Sequence, residues 1–222
     1  IQGTAGYSGG AFEERILNES KLIQALAKAI STAAHPLLMP AFSLVMLYVF
    51  DGFLVHRTAL FVYLMVVLLI NSGAPAISLV MLKRRGYISD ANISRREERI
   101  WPFLLVLAYQ LAAWFLVHTQ SQLEVPLFYQ NMLLGLVVSI GCAWLVTLQF
   151  KVSMHMLAQG GVMAIYSHVA WRTGMFHDGW VATLIVLSGL VGWSRLTLNA
   201  HTQIELYAGY SLGYACVWLS LF

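Results

Sequence analysis

Charge is the first thing this chain lacks. Of its 222 residues only 10% are Asp, Glu, Lys or Arg, against about 25% in a soluble globular domain. So few charges do not cover the surface of a water-soluble domain, and a bilayer is the expected solvent. Cysteine is nearly absent: Cys142 and Cys216 lie in different apolar runs without CxxC or CxxH spacing. That excludes a disulfide framework and leaves two small buried hydrophobes. A large excess of either charge is missing too. The net charge of +3 points weakly to anionic lipid or phosphate and away from nucleic acid. Period-two alternation is absent, and in lipid that leaves helices as the way to satisfy the backbone. No basic segment precedes a short apolar run at the N-terminus, so no cleavable signal peptide is expected. Neither a long linker nor a fixed-period repeat divides the chain.

What is present is apolar. Hydrophobic residues make up 59% of the chain, with a mean hydropathy of +0.71. Apolar runs at 32–50, 59–82, 101–119, 129–150, 155–172, 179–194 and 203–222 approach the ~20 residues that cross a bilayer as a helix. The expected fold is all-α, a polytopic membrane helix bundle of about six to seven transmembrane helices plus an N-terminal amphipathic helix. Residues 1–10 read as a flexible N-terminus or cloning remnant. Residues 11–31, AFEERILNESKLIQALAKAIS, place apolar side chains among charges at helical spacing and fit a helix on the membrane surface or against the bundle. Residues 32–222 form one membrane-embedded domain. His35-Pro36 and Pro40 mark a kink or a late start of the first span, and Asn71, Gly73 and Pro75 interrupt the second.

The connections sort by face. KRRGYISDANISRREER (83–99) carries Lys83, Arg84, Arg85, Arg95, Arg96 and Arg99 against Asp90, Glu97 and Glu98. With seven spans it shares an end of the bundle with QFKVSMH (149–155) and SRLTLNAHTQIE (194–205). The other connections are nearly neutral, so polar chemistry converges on one end. His35, His118 and His177 read as interfacial, His168 as a packed, hydrogen-bonded histidine, and Gly209-x3-Gly213 as a close helix contact within the chain.

In SRLTLNAHTQIE, His201 and Glu205 stand four apart. At that spacing a carboxylate can hold one imidazole nitrogen and leave the other for nucleophilic or base chemistry. Arg195 offers a planar fork suited to phosphate, and Ser194 a hydroxyl donor. A histidine that attacks phosphorus needs this combination.

These residues resemble the type-2 phosphatidic acid phosphatase superfamily, which includes haloperoxidases. SRLTLNAHTQIE matches its SR-x5-H-x3-D pattern except that Glu205 replaces Asp. VSMH (152–155) keeps the Ser and His of the middle PSGH motif without its Pro and Gly. RREERIWP corresponds to K-x6-RP, with Arg99 three residues before Pro102. AGYSLG (208–213) is similar to the family's glycine-bearing helix. The resemblance spans residues 83–205 and implies a cofactor-free lipid phosphatase working through a phosphohistidine. His201 would be the nucleophile, Glu205 its orienting carboxylate and His155 the general acid. Arg195, Ser153 and Arg99, with Arg95, Arg96 and Ser194 beside them, would bind phosphate. Phosphatidate, isoprenyl diphosphate, phosphatidylglycerol phosphate and phosphorylated lipid A fit as substrates. A bacterial inner membrane, with the site on the non-cytoplasmic side, is the expected location, although the basic loop alone favours the cytoplasm.

Two alternatives stand beside this one. His155, His201 and Glu205 could be zinc or iron ligands of a membrane hydrolase, although the chain has no HExxH. A non-catalytic lipid-binding or transport protein could also retain the fold.

Overall fold

The structure, a computed structural model, describes residues 8–50, 57–89, 98, 100–120 and 122–222. Among these every regular element is helical. Helix α1 runs Ser8–Ala33, and a short 3-10 turn, Pro36–Leu38, leads into α2, Met39–Phe50. Helices α3 (Thr58–Leu68) and α4 (Ala74–Arg84) are joined by a π turn, Leu69–Gly73. Then follow α5 (Ile100–Thr119), α6 (Leu127–Thr147), α7 (Met154–Thr173), α8 (Asp178–Thr197) and α9 (Gln203–Ser220). Both expected interruptions fall where proline removes a backbone donor: Pro36 opens the 3-10 turn and Pro75 follows the π turn.

Five helical segments are long and apolar enough to cross a bilayer: Glu13–Tyr48, Thr58–Arg84, Ile100–Thr119, Leu127–Thr147 and Asp178–Thr197. Their outer faces are apolar as well; Ile77 is 60% and Phe115 62% exposed. Water would not tolerate so much exposed apolar surface, and lipid favours it, so the chain is a multi-pass membrane protein. Helices α7 and α9, of 20 and 18 residues, are also long but less apolar. Gln159, Gly160, Gly161 and His168 of α7 are all buried, so that helix meets protein where the outer helices meet lipid.

Three glycines bring α7 and α9 together. A Cβ on Gly209 would lie 2.6 Å from the Ser153 carbonyl oxygen, and one on Gly213 or Gly160 would collide with Leu157 O or Tyr210 O. The backbones can approach this closely only where side chains are missing. Gly209-x3-Gly213 is therefore an internal packing face, as its spacing suggests.

The N-terminal helix begins at Ser8, inside the stretch read as flexible. Residues 13–26 are exposed throughout, which suits an interfacial helix, whereas Ala27 and Ser31 are buried where the last turns pack on α8. Cys142 and Cys216 are free thiols; Cys216 is buried, as expected, whereas Cys142 is half-buried.

Candidate active site

The turn between α8 and α9 sets the site. At the end of α8, Asn199 adopts a left-handed φ of 50°, and its N–H donates to Leu196 O at 2.9 Å. The Ala200 N–H donates to Arg195 O at 3.0 Å. This pair of bonds is a Schellman ending with asparagine in the left-handed position. It reverses the chain just after Arg195, which explains the five residues between Arg195 and His201. The side chain of Lys151 donates to Ala200 O at 2.7 Å and ties the α6–α7 connection to the same turn.

Helix α9 then begins with a capping box. Thr202 is the N-cap, its hydroxyl accepts from the Glu205 N–H at 3.4 Å, and Glu205 Oε2 accepts from the Thr202 N–H at 3.2 Å. The same oxygen lies 2.7 Å from His201 Nδ1. His201 thus precedes the helix, and the contact with Glu205 comes from the cap, not from a shared helix face. The long arm of Glu205 reaches back to both groups. The His201 side chain is only 3% exposed. Nδ1 is held by the carboxylate, so any bond to substrate falls to Nε2.

His155 sits in the first turn of α7, which Ser153 caps. Its Nε2 lies 3.1 Å from Ser31 O and 3.3 Å from Ser31 Oγ. Arg195, 3% exposed, donates from Nη1 to the same hydroxyl at 2.7 Å. His35 packs edge-on to His155 with ring centroids 5.6 Å apart. His35, His155, Arg195 and His201 line one cavity of about 120 Å³. The rest of its lining is mostly apolar, including Leu79, Pro102, Phe103, Val106 and Ile140. The α1–α2, α6–α7 and α8–α9 junctions and the start of α5 therefore meet at one end of the bundle, where the charge pattern placed the basic loops.

Other expected ligands stand apart. The Ser153 hydroxyl accepts from the Met156 N–H at 3.5 Å, and Ser194 donates to Val191 O at 2.7 Å. Both serve their own helices and neither lines the cavity. Ser153 instead couples helices through its backbone, its N–H donating to Glu205 O at 3.2 Å. Arg95, Arg96 and Arg99 lie outside the described residues. Among the described residues no three His, Cys, Asp or Glu side chains are grouped to share a metal ion, so His155, His201 and Glu205 do not form a ligand set.

Two residues were not foreseen: His35, which lines the cavity, and Ser31, which lies behind it and bonds to the lining residues Arg195 and His155. Ser31 closes a helix read only as amphipathic, and His35 was expected at the interface. The His35-Pro36 pair was the available signal, since an ionisable residue at a helix break inside an apolar run often faces a cavity. His168 departs differently. It is surrounded by Phe128, Trp171, Trp218 and Phe222, and its Nδ1 has no hydrogen-bond partner among the described residues. Comparison of the chain with protein-family models, curated proteins and solved structures finds no match.

Proposed function

We propose that this protein is an integral-membrane lipid phosphatase of the type-2 phosphatidic acid phosphatase kind, acting on a lipid phosphomonoester or diphosphate. One observation carries the reading: Arg195, His155 and the Glu205-held His201 line a single cavity whose other walls are mostly apolar. An anionic head group fits the polar pole, and its hydrocarbon fits the wall. In the proposed reaction His201 Nε2 attacks phosphorus, with Glu205 accepting from Nδ1–H and stabilising the imidazolium that develops. The bond from phosphorus to the lipid oxygen breaks, and His155 gives that oxygen its proton. Water, losing its proton to His155, then attacks the phosphohistidine and releases phosphate. Arg195 offsets charge on the equatorial oxygens through both steps. The membrane assigned is a bacterial inner membrane, with the site on its non-cytoplasmic side.

The test is phosphate release by the purified protein from several lipid phosphates, with and without chelator. Release that persists in EDTA is expected. Loss of release in EDTA, restored by added metal, would overturn the phosphohistidine route. Release from none of the substrates would leave lipid binding without catalysis as the better account.

A further inference from the structure

A second cavity adjoins the first. Pro36, Gln110, Ile140 and Met154 line both, so they form a neck between the two. Beyond the neck the inner chamber follows α7 from Met154 to Ile165, a depth of about 16 Å at the helical rise. Its walls are apolar or small, including Leu157, Ala158, Gly161, Val162, Leu136 and Val217. It is narrow, about 50 Å³. Met39 and Met154, whose unbranched side chains repack at low cost, lie on its boundary.

Gln110 at the neck is 6% exposed, and its Oε1 has no hydrogen-bond partner among the described residues. A buried amide oxygen without a partner is costly, and the cost is recovered when a ligand supplies the donor.

We propose that the inner chamber binds the hydrocarbon chain of the substrate, one chain at a time, inside the bundle and not in the surrounding bilayer. The outer cavity then holds the phosphate, and Gln110 meets the polar segment that joins head to chain. This deepens the phosphatase reading, on which it rests, by naming a substrate class: a lipid phosphate with a single chain that can thread the neck.

The test uses a dodecylphosphonate with a photoreactive group at the far end of its chain, added to the full protein in bilayer nanodiscs. A phosphonate is not hydrolysed, so the labelling result stands apart from any failure of the phosphatase reading. Expected labelling falls on Val162 and Ile165, and Ala158→Phe, which fills the chamber, moves it to lipid-facing Ile77, Val80 and Leu111, which are 43–60% exposed. Wild-type labelling confined to those outer residues, or no labelling of α7, overturns the proposal. So does α7 labelling that Ala158→Phe leaves in place. If that variant does not fold, the wild-type pattern decides alone.

Discussion

Arg195, which lines the cavity, and Ser31, 164 residues away in the chain, are joined by a buried 2.7 Å hydrogen bond. The same hydroxyl lies 3.3 Å from His155 Nε2. One small side chain from the end of α1 therefore braces the cation and the imidazole proposed to flank the phosphorus. A helix whose sequence fits the membrane surface or the side of the bundle in this way supports the site.

Ser31→Ala removes a hydrogen bond to a charged group, worth about 1.5–3 kcal/mol. The expected outcome is a fall of about tenfold or more in kcat/KM for a lipid phosphate, equivalent to roughly 1.4 kcal/mol per decade. Steady-state kinetics check it. Unchanged kinetics would mean that Ser31 braces nothing the reaction uses.

That bond also marks the limit of what was legible in the sequence. Apolar runs locate the long helices because lipid leaves the backbone no alternative. The Arg195-to-His201 spacing is legible because one local turn produces it. Ser31 and His35 are not, since their roles depend on how α1 docks on α8, a contact that no local pattern encodes. Ser153 and Ser194 lie outside the cavity lining for the opposite reason. A serine beside a motif residue resembles a phosphate ligand, yet each bonds to its own helix at closer range.

The α7–α9 seam predicts a clean contrast among glycines. Gly209→Ala or Gly213→Ala puts a methyl into backbone atoms of α7 and is expected to destabilise the fold by about 1–3 kcal/mol. It should also abolish phosphate release by separating His155 from His201. Gly189→Ala, with nothing within 4 Å of the added carbon, should leave the melting temperature unchanged or slightly raised. Thermal unfolding in detergent distinguishes them, and equal effects at all three sites would contradict the seam.

The left-handed turn makes another prediction. Asn199→Gly should be neutral or slightly stabilising, because glycine takes positive φ without strain. Asn199→Val should cost about 1–2 kcal/mol and lower kcat by shifting His201 away from Arg195. A valine variant with full activity and stability would show that the turn does not set the spacing.

Glu205 serves both the cap and the imidazole, and substitutions separate the two. Thr202→Ala removes the cap's hydroxyl, so it should cost about 1 kcal/mol of stability and change kcat only a few-fold. Glu205→Gln keeps an acceptor for the cap but loses the charge behind His201. Its stability should hold while kcat falls about a hundredfold or more. Equal activity losses in the two variants would reduce Glu205 to a structural cap.

The central claim is that His201 carries the phosphoryl group. Acid-labile phosphate trapped during turnover with a radiolabelled lipid phosphate tests it most directly. The account predicts label on the wild-type peptide that holds His201, and neither label nor phosphate release from a folded His201→Ala variant. Phosphate release at the wild-type rate by that variant would contradict it.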